Sequence, residues 1–336
     1  MAYKLPFSMR PPDLDPYSTG DIDTFRKTNY DSLNDEDKIK FRDDFISEIQ
    51  SVGLPRYHYM GDVDLMVEKI RNSKMTDKFC EIDTNGNLFL DEHFPHRLSS
   101  SHAYMKSAEE AWADAKFMQK AFDMMVSEDR QFNIRAMYNN LIHIIKAPGH
   151  FRPRAAASVI NHLKAKNVLD PFIGWGGRAL ASMLCPSVKS YFGMDLQRES
   201  VDGVLRIQAE LKDFTKVDVN VKCGDSIALM KEMDNEFDLI LTSPPFWRAE
   251  SYNGVEQTNS LDSWYQSFVL PFAYSCTKLL SKNGNLVLHM EDSLGKPLYS
   301  LFHRALTEAG LKSKDVWFYN KDTRPTKQRM LYVYSK

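Results

Sequence analysis

Cysteine is scarce and dispersed. Cys80, Cys185, Cys223 and Cys276 are the only four in 336 residues, and no two stand at ligand spacing. That excludes a disulfide scaffold and a zinc ribbon, and it fits a reducing compartment. An excess of one charge is missing as well. Lys and Arg number 43 against 45 Asp and Glu, a formal net charge of -2, so a polyanionic partner has to be met by a local basic patch. No apolar run reaches membrane-spanning length, and the opening "MAYKLPFSMRPPDLDPYSTGD" is polar and proline-rich where a leader would be apolar. These absences predict a soluble, intracellular protein, of cytoplasm, nucleoid or nucleus, with no membrane partner. No internal repeat or low-complexity tract interrupts it. With 43% hydrophobic residues, a large α/β domain with a smaller appendage is expected.

Pro6, Pro11, Pro12 and Pro16 break any period, which predicts an irregular arm over residues 1–32. Residues 33–146 read as a mainly helical accessory domain. Phe41, Phe45, Ile46 and Ile49 have helical spacing, with Asn34 as a cap and Gly53 and Pro55 as a stop. A shorter helix after Asp62 uses Leu65, Met66 and Ile70. Ser107 with Glu110 has the capping-box pattern and opens one long helix, whose stripe of Trp112, Ala115, Met118, Phe122 and Met125 is a core face rather than a ligand site. A last helix spans about Asn133 to Ile145. In "CEIDTNGNLFLDEHF", Asp83, Asn85 and Asn87 are spaced like the first ligands of an EF-hand loop, but the glycine comes at Gly86, too early, and Asn85-Gly86 predicts a hairpin turn instead. Pro95 separates His93 from His96 and argues against a shared helical face, so both are read as solvated loop residues and no metal site is expected.

Beyond residue 147 the pattern changes. "NVLDPF", "SYFGMD", "VNVKCGD", "FDLILTSPPF" and "GNLVLHME" are strand-length apolar runs alternating with helical stretches such as "RALASML" and "LDSWYQSFVLPFAYSCTKLLS". That alternation predicts a Rossmann-like α/β domain over 147–336, a parallel sheet with helices on both faces. "KDVWFYN" and "RMLYVYS", joined by "KDTRPTKQ", predict a terminal hairpin.

Several strand ends carry chemistry. After "VLD", Gly174, Gly176 and Gly177 let the backbone approach a ligand at a helix N-terminus. The lettering also satisfies G-x-G-x-x-[GA] with Ala179 last, so a dinucleotide reading stays open here. Asp195 ends the next strand, where a carboxylate can accept from the two hydroxyls of a ribose, and Asp225 with Ser226 ends the third, where a carboxylate or backbone group can hold an adenine amine. Ser243-Pro244-Pro245-Phe246 ends the fourth. Two prolines cannot continue a sheet ladder, so this segment leaves it stiff and extended.

"DPFIGWGG" followed by "TSPPF" resembles motifs I and IV of the S-adenosylmethionine-dependent amino-methyltransferases, which methylate exocyclic amines of nucleic-acid bases. The closest likeness is to phage-type DNA methylases with "DPFxGWGGR" and "SPPYF". "GHFRPRAAASVINHL" resembles their motif X. The resemblance covers about Gly149 to the C-terminus and implies a seven-stranded class I methyltransferase sheet. It implies S-adenosylmethionine held by Phe151, Arg152, Pro153, Asp170, Pro171, Phe172, Gly174, Gly176, Gly177, Asp195, Asp225 and Ser226. The catalytic residues it implies are Ser243, Pro244, Pro245 and Phe246, and the partner is nucleic acid, DNA first.

The chemistry asked of "SPPF" follows from the substrate. An exocyclic amine is a poor nucleophile because its lone pair is delocalised into the ring. Two fixed acceptors, the Ser243 hydroxyl or backbone and the Pro244 carbonyl, would draw its nitrogen towards tetrahedral geometry, and Phe246 would stack on a flipped base. Serine first leans the target to cytosine N4, with adenine N6 the other base. Methylation at cytosine carbon 5 would need a Pro-Cys nucleophile, and the chain has only the reversed Cys185-Pro186. Trp247, Arg248, Tyr252 and Gln257 follow the motif as candidate substrate contacts, and Lys321, Arg324, Lys327 and Arg329 are candidate phosphate contacts. An RNA base or a protein glutamine amide presents the same delocalised nitrogen, and a catalytically inactive nucleic-acid-binding subunit would keep the fold without turnover. Oligomeric state stays open, a homodimer included.

Overall fold

The computed structural model describes residues 25, 28–55, 59, 61–84, 86–102, 105–248, 250–251, 260–292, 295–319 and 329–336. The chain divides into two units. One holds residues 1–57, 95–148 and 250–253, and the other holds 58–94, 149–249 and 254–336. Strands along the described chain are β1 (Met75–Thr76), β2 (Phe79–Cys80), β3 (Ser101–His102), β4 (Asn167–Asp170), β5 (Ser190–Asp195), β6 (Asp218–Cys223), β7 (Phe237–Thr242), β8 (Glu250–Ser251), β9 (Leu280–His289), β10 (Lys312–Phe318) and β11 (Met330–Ser335).

The first unit is helical, with β3 and β8 paired antiparallel beside the helices. Its helices start where the side chains dictate. Asn34 caps Asp35–Val52, Asp114 caps Ala115–Ser127 and Asn133 caps Ile134–Ile145, each side chain accepting a first-turn N–H. The capping box of Ser107 and Glu110 forms, but the single long helix expected after it does not. The helix from Ala108 stops at Trp112, and Asp114 opens a new one by accepting from Lys116 N and Phe117 N. The break turns Ala115 out to solvent, while Trp112, Met118, Phe122 and Met125 stay buried. They pack with Phe41, Phe45 and Phe132 in an aromatic cluster, where Phe41 meets Phe132 edge-on at 4.9 Å.

The second unit is built on one nine-stranded sheet of order β1-β2-β10-β11-β9-β7-β4-β5-β6. Its last seven members, β10 to β6, give the expected doubly wound sheet. β9, β7, β4, β5 and β6 run parallel, and only β11 is reversed against both its neighbours. This is the order and direction of the class I Rossmann-like sheet. Strand β4 has β5 on one side and β7 on the other, so the winding reverses between β4 and β7, and a crevice opens there at the carboxyl ends. The terminal hairpin is present as β10 and β11. The hairpin of β1 and β2, not expected, adds the extra edge through a single residue pair, Phe318 with Phe79. Pro271 fits the helical run 261–279 because a π turn at Tyr265–Val269 precedes it.

Residues 58–94 belong to the α/β unit, whereas the sequence groups them with the other N-terminal helices. Non-local polar contacts account for this. Arg71 donates to the carbonyls of Leu184 and Phe214, Arg154 pairs with Glu81 and Asp83, and His150 bonds Asp91 at 2.7 Å. Within this segment the helix Val63–Arg71 buries Val63, Met66, Val67 and Ile70 and leaves Leu65 exposed. Gly86, at φ 87°, caps the helix Asn87–His93, which replaces the expected hairpin. His93 is buried, not solvated. Its Nε2 lies 2.9 Å from Glu210 and its Nδ1 lies 2.8 Å from the Phe89 carbonyl. Among the described residues no group of three or more His, Cys, Asp or Glu could hold a metal ion, and no helix is long and apolar enough to cross a membrane.

Candidate active site

The site is assembled at the ends of β4, β5, β7 and β9. The loop after β4 is held from beneath by Asp170. This side chain is fully buried, with the Arg178 Nε 3.0 Å from both of its oxygens and the Tyr191 hydroxyl 3.2 Å from one. Arg178 also donates to the Phe172 carbonyl. Burial pushes the Asp170 carboxyl up to about 6 while Arg178 pulls it back, so it is ionised at neutral pH. With no exposed surface, Asp170 shapes the loop from within. Sequence inspection missed Arg178 and Tyr191, whose partnership with Asp170 only the fold makes visible.

The three glycines differ in what they permit. A side chain at Gly174, where φ is 56°, would meet nothing nearer than the Phe172 carbonyl at 4.0 Å, so this backbone is open to an approaching ligand. A Cβ at Gly176 would strike the Phe94 ring at 2.3 Å, and one at Gly177 would lie 1.7 Å from the Phe151 carbonyl oxygen. Those two glycines serve close packing. Gly177→Ala is therefore expected to lose about 1–3 kcal/mol by overpacking, seen as a lowered midpoint in urea denaturation; an unchanged midpoint would contradict this contact.

Asp195 fastens the loop from the neighbouring strand. One carboxylate oxygen accepts from Gly174 N and the other from Gln197 N, both at 2.9 Å. Burial raises its pKa, and those backbone donors oppose the rise. Each oxygen keeps a second lone pair for a further donor. Asp225 caps the helix Ser226–Glu232 by accepting from Ala228 N, and the Ser226 hydroxyl donates to the Pro171 carbonyl at 2.5 Å. The third strand end is thereby tied to the glycine-rich loop. Pro153 starts its helix at the first position, with Arg152 as the residue before it. Arg152 N donates to the Tyr319 hydroxyl at 2.6 Å. The Phe151 ring lies 5.1 Å from the Arg178 guanidinium.

The segment after β7 lies beside this loop. β7 pairs with β4 on one side, Ile240 opposite Leu169, and with β9 on the other, Thr242 opposite Leu288. One step further along, Ser243 comes level with His289, and its hydroxyl lies 3.2 Å from His289 Nδ1. Pro244 is buried, and Ser243, Pro245, Phe246 and Trp247 are half-buried. Among the described residues, nothing donates to the Pro244 carbonyl. The Phe246 ring sits 6.4 Å from the imidazole of His289, and the Phe151 ring meets the same imidazole edge-on at 5.7 Å. A chain of contacts thus joins Phe246 and Ser243 through His289 to Phe151, and Phe151 to Gly177 and Arg178. His289 was not singled out from the sequence. Its signal was its place as the last residue of the strand, where Asp170 and Asp195 also stand.

Trp247 carries Arg248 over its face at 5.2 Å, and Arg248 takes the left-handed conformation at φ 52°. Arg329, a candidate phosphate contact, has an internal partner: its Nε lies 3.1 Å from a Glu291 carboxylate oxygen. Tyr252, Gln257, Lys321, Arg324 and Lys327 lie outside the described residues.

No family model matches the chain, and no curated protein matches it. Solved structures do. TrmN from Thermus thermophilus is 22% identical over 55% of this chain and 48% of its own, with a TM-score of 0.40. An S-adenosylmethionine-dependent methyltransferase from Clostridium acetobutylicum is 14% identical over 59% of this chain and 98% of its own, with a TM-score of 0.39. Aeropyrum pernix fibrillarin, solved with natively bound S-adenosyl-L-methionine, is 12% identical over 55% and 75%, with a TM-score of 0.37. These are low scores at low identity, and this chain spans about half the length of TrmN. Strand order and direction, not the scores, make the sheet a class I one.

Proposed function

We propose that this protein binds S-adenosylmethionine and methylates the exocyclic amine of a nucleic-acid base, DNA first and cytosine N4 ahead of adenine N6. One observation carries the reading. The glycine-rich loop and the Ser243-Pro244-Pro245-Phe246 segment leave the sheet from adjacent parallel strands, at the point where its winding reverses.

The residues present suit the cofactor. Gly174 leaves its backbone open to close approach, and the Asp195 carboxylate keeps two acceptor positions for the hydroxyls of a ribose. When bound, S-adenosylmethionine supplies a methyl group on a positively charged sulfur. The protein then has to place an amine in line with that methyl. Ser243 Oγ and the Pro244 carbonyl are the acceptors that would grip the N–H bonds, and two prolines limit their motion. Phe246 presents the ring on which the base would rest.

The test is product identification. The protein is incubated with methyl-labelled S-adenosylmethionine and, separately, duplex DNA, single-stranded DNA, RNA and protein extract, and each digest is analysed by mass spectrometry. N4-methylcytosine is expected from DNA. N6-methyladenine, a methylated RNA base or methylglutamine would move the substrate while keeping the chemistry. Tight, salt-dependent nucleic-acid binding with no product would favour an inactive binding subunit, and a nicotinamide-dependent absorbance change would revive the dinucleotide reading.

A further inference from the structure

We propose that His289 is the positioning residue of this site and receives, through Ser243, the proton that amine methylation releases. This rests on the amine-methylation reading above.

The imidazole has a defined orientation. It lies level with Ser243 because β7 and β9 are parallel and in register, Thr242 with Leu288. Phe151 packs edge-on to it at 5.7 Å, Tyr319 at 5.3 Å and 44°, and Phe246 at 6.4 Å and 33°. Nδ1 faces the Ser243 hydroxyl at 3.2 Å, and Nε2 faces a Glu291 carboxylate oxygen at 3.6 Å. That second separation is too long for a hydrogen bond but short for a charge, and it favours the proton on Nε2. Nδ1 is then an acceptor, so the Ser243 O–H donates to it. The remaining lone pairs of Oγ are left for an incoming N–H. Without the imidazole the hydroxyl could rotate and present its own proton to the amine, donor against donor.

The same pair accounts for the proton. As the amine nitrogen bonds to the methyl carbon, the carbon–sulfur bond breaks and its electron pair stays on sulfur, which becomes a neutral thioether. The nitrogen now carries the positive charge. It gives an N–H proton to Ser243 Oγ while the Oγ–H proton passes to His289 Nδ1. The imidazolium so formed faces Glu291 and later returns its proton to solvent. The charged and titratable groups around the ring are Glu291, Arg329 and Arg178, with Tyr319 and Ser243 against it. Burial lowers the His289 pKa, against the pull of Glu291, which keeps the ring neutral and ready to accept at neutral pH.

The experiment is single-turnover methylation by the full chain from acid to neutral pH, with S-adenosylmethionine binding and thermal unfolding measured beside it. Wild-type rates should fall on the acid side as His289 charges. His289→Asn should bind cofactor normally, lose roughly 100-fold or more in rate at neutral pH, and lose the acid limb. Glu291→Gln, at a partly exposed position, should shift the acid limb to lower pH and slow the neutral rate several-fold, because the carboxylate that favours the imidazolium is gone. If His289→Asn does not fold, Glu291→Gln decides. A slowed His289→Asn that keeps the wild-type acid limb would show a merely structural role and overturn the proposal, as would a Glu291→Gln profile identical to wild type. A wild-type protein that methylates no amine at all would overturn the functional reading and this proposal together.

Discussion

Asp170→Asn is expected to destabilise the protein by about 1–3 kcal/mol, because the amide sets an NH2 donor where Asp170 accepts from Arg178 and Tyr191 and leaves a buried donor unsatisfied. The Arg178 side chain is only 5% exposed, so water cannot replace the lost carboxylate. A change of that size is a large part of the stability of an ordinary domain. The wild-type pair also gives a signed pH dependence. The folded-state carboxyl titrates at about 6, above its ordinary 3.8, so between these values the folded chain binds more protons than the unfolded one. From this group, stability falls as pH rises through that window and levels off above it. Urea denaturation across the window should show this slope in the wild type and its loss in Asp170→Asn. Replacing both partners, as Asp170→Leu with Arg178→Met, should cost less than Asp170→Asn alone, because the buried Arg178 donors are then removed together with their acceptor. A double variant less stable than Asp170→Asn would contradict the account.

What was legible in the sequence was local. Apolar runs of strand length, cap residues and the two prolines of Ser243–Phe246 act within a few residues of themselves, and the sheet and its strand ends follow from them. Features that depend on distant partners were not legible. Asp170 looks like any strand-end acid until the fold brings Arg178 and Tyr191 to it. His289 ends a strand in plain view, but it gains meaning only from register with Ser243. The segment 58–94 reads as one more stretch of helical domain, and Arg71 and Arg154 bind it to the α/β unit through residues up to 143 positions away. The helix that Gly86 caps in place of a hairpin turn is a local miss, and so is the break at Asp114. There the capping carboxylate outweighed an uninterrupted apolar stripe, since a side chain that satisfies two first-turn N–H groups starts a new helix.

Ser243→Ala should separate the two halves of the site. The hydroxyl is paired with His289, so its loss should leave S-adenosylmethionine affinity near wild type. It removes one of two oriented acceptors, a change worth roughly 100-fold or more in rate when the group acts in the transition state. Phe246→Ala should fall on the same side, with turnover lost before cofactor binding. Asp195→Ala should do the reverse. It deletes the carboxylate that accepts from Gly174 and Gln197 and that would accept ribose hydroxyls, so the cofactor dissociation constant should rise by about 10- to 100-fold, the worth of one or two charge-assisted hydrogen bonds. Calorimetric titration of S-adenosylmethionine and single-turnover rates at saturating cofactor read the two quantities independently. The pattern follows from geometry, since the acceptors stand at the end of β7 and the cradle at the ends of β4 and β5. Cofactor affinity collapsing in Ser243→Ala, with Asp195→Ala harmless, would mean that the ends of these strands hold the opposite ligands.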